Sequence, residues 1–328
     1  MKATVRILSE LQVNSLISLD DCIEAVERAF RADARAQTLN LPVVRESIGV
    51  GSGIFGIKSG AIFEPQTLGL KAGGYWPNNA RQHSTSNHQS TILLFDIASG
   101  QPTCLLNANR VTELRTSAAG AIAARLLAKQ DACTVGLVGA GVQARGQLEA
   151  LLGIFPTLSA AHVWSRRREQ AAALAEAMSD RLSVTVCDSP RQVAERADIL
   201  VTATSSFTPL VFAPWLNPGV HINAIGSDTR GKQELDQEIL RTAHVVVDNL
   251  EQACRLGEVQ HLAPDIESAQ AYVASTLGDI LVGRKSGRAD DREITVFDST
   301  GVTFQDLAVA QLVYERACET GCGLVVEF

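Results

Sequence analysis

The hydrophobic pattern of the chain has two rhythms, and the change between them falls near residue 133. Ser18-Leu-Asp-Asp21 has the form of a capping box, and Ile23, Val26, Phe30 and Ala34 follow at helical spacing, which predicts an amphipathic helix to about residue 36. Residues 40–110 then carry short β-branched runs, Gly53–Lys58, Leu68–Tyr75 and Ser90–Asp96, separated by Gly, Pro and Asn clusters. They predict an antiparallel or mixed sheet. Glu113–Lys129 reads as an alanine-rich helix. Beyond it the chain alternates strand and helix, with strands expected at Thr134–Val138, Ala161–Trp164, Val184–Cys187, Ile199–Ala203, Val220–Ala224, His244–Val247 and Ile294–Phe297. Such short, continuously apolar runs suit a parallel sheet covered on both faces, with helices such as Arg168–Ala177 between strands. A last helix, about Phe304–Thr320, is expected to return to the first domain. The predicted class is therefore α/β, a doubly wound parallel sheet in residues 119–304 plus an α+β domain of residues 1–118 together with 305–328.

Composition narrows the function classes. The chain has 328 residues, 46% hydrophobic and 20% charged, enough to bury a sizeable core and to divide into two domains. Its net charge of −7 comes with no basic block, which argues against nucleic acid as a partner. The longest uncharged stretch, Ile199–Ser227, is broken by Pro209, Pro214 and Pro218, so no membrane span is expected. The N-terminus has no export pattern and the seven cysteines read as free thiols, so a cytoplasmic location is expected. Six dispersed histidines form no metal-ligand spacing.

The candidate chemistry begins at Gly139-Ala140-Gly141-Val142-Gln143-Ala144, a G-x-G-x-x-A pattern placed directly after a strand and before a helix. The first glycine permits a tight turn, the second lets backbone approach a pyrophosphate, and the small third residue packs closely. The phosphate would sit at the helix N-terminus, so dinucleotide binding on a Rossmann-type sheet is predicted. At the end of the second strand, where a carboxylate would bind a free ribose 2′-hydroxyl, the chain has Trp164-Ser165-Arg166-Arg167-Arg168. Ser165, Arg166 and Arg167 suit a 2′-phosphate, which favours NADPH over NADH. Arg168 reads as a solvated residue of the following helix.

Four charged residues stand out further. In HINAIGSDTRGKQEL, an apolar strand ends in Gly226 and then Asp228, either a solvated turn or a carboxylate at the mouth of the sheet, while Arg230 and Lys232 read as solvated. Lys71, in LGLKAGGYWPNN, is either a snorkelling strand lysine or a cation aimed into a cleft. Arg115 lies in the first turn of a helix, where a cation opposes the dipole unless an anion meets it; the alternative is a solvated arginine or a surface pair with a distant carboxylate. Arg45, in LPVVRES, says nothing alone.

Together GLKAGGYWPNN, LLFDIASGQP, LRTSAAGAIAA, GLVGAGVQA, INAIGSDTRGKQELD and FDSTGVTFQDLA resemble, in order and spacing, the ornithine cyclodeaminase and μ-crystallin family. The resemblance implies a homodimer in which the first domain serves dimerisation and substrate binding. It implies that Arg45, Lys71 and Arg115 hold a substrate carboxylate, with Gly301 also at the substrate and Lys71 available for proton transfer. It further implies that Asp228 faces the substrate nitrogen near the nicotinamide, and that Ala203, Thr204, Ser205, Ile225 and Gly226 line the cofactor. The expected activity is NADPH-dependent reduction of small 2-imino acids, most of all a cyclic ketimine such as Δ1-pyrroline-2-carboxylate. Ornithine cyclodeamination, iminosuccinate reduction or alanine dehydrogenation, and non-catalytic cofactor binding are the alternatives. His83 and His88, in the less familiar ARQHSTSNHQST segment, are either pocket-lining or solvated.

Overall fold

The computed structural model describes residues 4–49, 53–263 and 265–328. The chain divides into two compact units, Met1–Arg115 with Val302–Phe328, and Thr116–Gly301.

The first unit is built on one sheet of β1 (Thr4–Leu8), β2 (Thr38–Asn40), β3 (Val44–Ser47), β4 (Ile54–Ile62), β5 (Thr67–Tyr75), β6 (His88–Phe95), β7 (Pro102–Asn107) and the C-terminal strand Leu324–Glu327. The order is C-terminal strand, β1, β7, β6, β5, β4, β2, with β3 also on β4. Only β1 and β7 pair in parallel. The Ser18 and Asp21 capping box forms as the pattern predicts and opens the helix Leu19–Ala34. The last helix, Thr303–Thr320, stops at Gly321, whose φ of 68° suits a residue without a Cβ. Phe30 and Phe304 meet edge to face with ring centroids 5.3 Å apart, and burying each ring contributes about 1.5–3 kcal/mol. The last helix approaches β5 closely because Gly69 has no side chain: a Cβ there would lie 2.8 Å from Leu307 Cδ2. β1 and a short helix, Glu10–Leu16, escape the sequence pattern. β1 is stabilised by partners some hundred and three hundred residues away, Cys104–Leu106 and Leu324–Glu327, and so leaves little local signal.

The second unit holds β8 (Thr134–Val138), β9 (Ala160–Trp164), β10 (Ser183–Val186), β11 (Ile199–Thr202), β12 (Phe207–Val211), β13 (His221–Ala224), β14 (Gln233–Leu235), β15 (His244–Val247), β16 (Val273–Thr276) and β17 (Thr295–Asp298). Eight of them form a sheet in the order β10, β9, β8, β11, β13, β17, β15, β16. Every pairing in it is parallel. The strand order reverses at β8, between β9 and β11, and in such sheets ligands bind outside the carboxyl ends of the strands at that point. The seven expected strands all form, with ends shifted by at most one residue. β16 and the parallel pair β12 and β14 go beyond the expectation; β14 is only Gln-Glu-Leu, too short and too polar to show alternation.

Two buried polar side chains of β13, His221 and Asn223, are hydrogen-bonded. His221 bonds Thr295 Oγ1 and Asn223 Oδ1, each at 2.9 Å, and Asn223 Nδ2 donates to the Gly120 carbonyl at 3.0 Å. Burial lowers the His221 pKa to about 3, so the imidazole is neutral at physiological pH. Among the described residues no helix is long and apolar enough to cross a membrane, and no three His, Cys, Asp or Glu side chains are grouped to hold a metal ion.

Candidate functional site

In the first unit the sheet register gathers cations. Lys71 of β5 stands directly opposite Lys58 of β4, and Arg45 of β3 stands opposite Gly56, two residues before Lys58. Opposed residues and residues two apart share a face, so Arg45, Lys58 and Lys71 lie on one side of the sheet. Like charges directly opposed destabilise a strand pair, and here a buried anion answers them. Asp306, from the last helix, has Oδ1 2.7 Å from Lys71 Nζ and 3.0 Å from Arg115 Nε. Lys71 is 8% exposed, Arg115 6% and Asp306 fully buried. Neither the snorkelling lysine nor the solvated arginine is what the structure contains. Arg115 Nη1 also donates to Gln305 Oε1 at 3.0 Å, whereas Gln305 Nε2 and Asp306 Oδ2 make no hydrogen bond among the described residues. Arg45 is half-buried, and Glu113 pairs with Arg110 at 2.9 Å.

Burial is the largest influence on Lys71; Asp306 opposes it, Arg115 and Lys58 reinforce it, and the ammonium pKa falls to about 7. Burial also works against the Asp306 carboxylate, but Arg115, Lys71 and Lys58 outweigh it and hold the pKa below the usual range. The sign for ligand binding follows directly. Lys71 is charged below pH 7 and loses its proton as pH rises through that value. An anion held by Lys71 is therefore expected to show a constant KM below about pH 7 and a KM rising by up to about tenfold per pH unit above it. Steady-state kinetics across pH 6 to 9 check this; a flat KM would remove the Lys71 charge from ligand binding.

In the second unit the glycine-rich turn follows β8. Gly139 has φ of 117°, and a Cβ there would lie 2.5 Å from the Ala203 carbonyl oxygen, so only glycine fits. Gly141 caps the helix Val142–Ile154 without any side-chain cap bond, and a Cβ there would meet nothing within 4 Å. The helix N-terminus is thus open toward an anion, as a dinucleotide phosphate requires. Among the described residues Gln143 Oε1 is buried without a hydrogen-bond partner, and Ala144 is fully buried. Ala140 and Val142 complete the turn. At the end of β9, Ser165 is half-buried and Arg166 and Arg167 are exposed. Arg168 begins the next helix and is solvent-exposed, as expected, and it is ion-paired with Asp188.

The loops after β11 and β13 contain Ala203, Thr204, Ser205, Ile225, Gly226 and Asp228. Asp228 is partly buried; Thr229 Oγ1 donates to its Oδ1 at 3.0 Å and Lys232 Nζ at 2.7 Å. Lys232 Nζ lies also 3.2 Å from the Gly226 carbonyl, and only 14% of the Lys232 side chain is exposed. This corrects the expectation of a solvated Lys232, which instead anchors Asp228 one turn of loop away; Arg230 is exposed, as expected. Gly301 has φ of 71° and donates its N–H to Asp248 Oδ2 at 2.6 Å, so its backbone forms a tied turn. His83 is exposed and His88 half-buried. Lys58, Glu234, Gln305 and Asp306 were not singled out from sequence, although FDSTGVTFQDLA and SDTRGKQELD contain three of them.

Glycine cradle, doubly wound sheet and buried charged cluster together define a nicotinamide-dependent oxidoreductase of the Rossmann type. The chain belongs to the ornithine cyclodeaminase/mu-crystallin family, which it matches over residues 4–321. It is 38% identical over 322 residues to an iminosuccinate reductase of Paracoccus denitrificans, covering 98% of this chain and 99% of that one. Among solved structures, an archaeal alanine dehydrogenase dimer with bound NAD superposes with a TM-score of 0.92 at 37% identity, covering 99% of this chain and 100% of the other. The Δ1-pyrroline-2-carboxylate reductase of Thermococcus litoralis with NADH and L-proline gives a TM-score of 0.91 at 31% identity, covering 97% and 99% of the two chains.

Proposed function

We propose that the protein reduces small 2-imino acids with NADPH. The observation that carries the reading is the buried cluster of Lys58, Lys71 and Arg115 around Asp306, with Arg45 on the same sheet face, because several buried cations around one carboxylate suit an anionic ligand. Lys71, Arg115 and Arg45 hold the substrate carboxylate. Asp228 faces the imine nitrogen, stabilises its protonated form, which is the better hydride acceptor, and holds a proton for the product amine. Bound between the Gly139 to Gln143 turn and the loops after β11 and β13, the cofactor supplies the hydride. Ser165, Arg166 and Arg167 offer a hydroxyl and two guanidinium groups to a 2′-phosphate, with no carboxylate among them.

Two substrate shapes fit this class. A cyclic ketimine such as Δ1-pyrroline-2-carboxylate is the reading that the sequence motifs favour. A linear 2-imino dicarboxylate such as iminosuccinate is favoured by Lys58, which adds a buried cation beside Lys71, and by the 38% identity to a reductase of that name. The homodimer is supported by Ile7, Leu105 and Leu93, which stand in register on the opposite sheet face, Ile7 and Leu105 more than a third exposed. An apolar groove there is lined by these residues with Phe95, Val326 and Phe328.

The test is a panel of cyclic and linear imino acids with purified protein, following NADPH and NADH oxidation. Turnover of at least one is expected, with NADPH preferred about tenfold to a hundredfold in kcat/KM, as one added charge-assisted hydrogen bond of about 1.5–3 kcal/mol would give. No oxidation above background on any substrate would overturn the reading.

A further inference from the structure

Glu234 is a fully buried carboxylate on β14, and among the described residues no ion pair to it is shown. Its two oxygens go to two separate loops: Thr204 N–H donates to Oε1 at 2.6 Å and Gly226 N–H to Oε2 at 2.8 Å. The positions are telling. Ala203 N–H bonds Val138 and Ile225 N–H bonds Thr202, each at 2.9 Å, so the sheet ladder holds the chain through Ala203 and Ile225. Glu234 takes over at the next residue of each loop, where the ladder ends. Gly226 is fitted to this contact, since a Cβ there would lie 2.4 Å from Glu234 Oε2.

Glu234 is itself held by the same device. Its own N–H and that of Leu235 donate to the two oxygens of buried Glu258, at 2.7 and 3.2 Å. Val259, next to Glu258, donates its N–H to Asp298 Oδ2, at the end of β17, at 3.1 Å. Three buried carboxylates therefore connect β17, the short helical turn Glu258–His261, β14 and the two loops in series, each through backbone amides. A polar group of this kind is costly to bury without bonded partners, and a brace of this kind fixes backbone where regular structure stops.

We infer that Glu234 is a positioning residue that braces the loops after β11 and β13 against the nicotinamide end of the cofactor, acting through Thr204 and Gly226. The inference depends on the proposed placement of the cofactor at those loops. Glu234→Gln tests it, because the amide keeps the shape but offers one acceptor and one N–H donor, so one of the two loop amides is left facing a donor. The expected result is NADPH binding weakened at least about tenfold, measured by quenching of protein fluorescence. 2′-Phospho-ADP-ribose, which has no nicotinamide, should bind within about twofold of wild type, because the phosphate turn contacts Ala203, which the ladder holds independently. Gly226→Ala, which keeps Glu234 but sets a Cβ 2.4 Å from its Oε2 and 2.5 Å from the Thr204 carbonyl oxygen, should weaken NADPH in the same direction, and the double variant should be no worse than the more affected single variant. Equal weakening of both ligands would show a general structural role and overturn the inference, as would unchanged NADPH binding by both folded variants. Failure of the wild type to bind NADPH or NADH at all would instead overturn the proposed function on which it depends.

Discussion

Replacing Asp228 by Asn is expected to lower kcat about 10²–10⁴-fold, the usual contribution of a positioned proton-transfer group, while NADPH affinity stays within about twofold of wild type. Asn is the informative substitution because it keeps an oxygen where Asp228 Oδ1 now accepts from Lys232 Nζ at 2.7 Å and Thr229 Oγ1 at 3.0 Å. The contacts at Oδ1 are therefore kept, while the negative charge is lost and the second oxygen becomes an N–H donor. If Asp228 stabilises a protonated imine and holds a proton for the product nitrogen, both contributions vanish together. Single-turnover hydride transfer under saturating cofactor separates this from slow product release. Turnover unchanged in the folded variant would remove Asp228 from the chemistry, and a matching loss of NADPH affinity would reassign it to cofactor binding.

The parts of the molecule that were legible in the sequence share one property: their signal is local. The capping box at Ser18 and Asp21, the strand at Thr134–Val138 and the glycine pattern at Gly139 and Gly141 are each encoded within a few residues, and each forms as read. Gly139 shows why such a signal is dependable, since its φ of 117° and its contact with the Ala203 carbonyl leave no other residue type. The partners of the charged residues were not legible. Lys71 could be read as a strand lysine, but its counter-ion lies 235 residues later on a different helix. Lys58 reads as the polar end of a strand until the β4 to β5 register sets it against Lys71. Lys232 and Glu234 lie four and six residues beyond Asp228 in a loop whose polar composition suggests solvent; only the fold turns Lys232 back to Asp228 and Glu234 under Gly226. Sequence thus indicated some of the charged residues, Lys71, Arg115 and Asp228 among them, while the long-range pairing brings in Lys58 and Asp306 and decides what state the charge is in.

Asp306 is where that pairing has its largest expected energetic effect. Asp306→Asn removes the one carboxylate shown between Lys71 and Arg115, leaving two cations 8% and 6% exposed with an amide between them. Breaking a buried pair from one side costs about 3–5 kcal/mol, which urea unfolding should register as a lower midpoint at an unchanged slope. Asp306 is also the main group holding the Lys71 pKa up against burial, so in the variant the ammonium loses its proton below pH 7 and the rise in KM begins at a lower pH than in the wild type. The two effects are coupled. On the proposed reading, an anionic substrate bound at the cluster would restore a negative charge to it, so carboxylate ligands should raise the midpoint of the variant more than that of the wild type. A variant equally stabilised by ligand as the wild type would mean that substrate carboxylate and Asp306 do not share these cations. A variant as stable as the wild type would mean that the cluster tolerates its positive charge without Asp306.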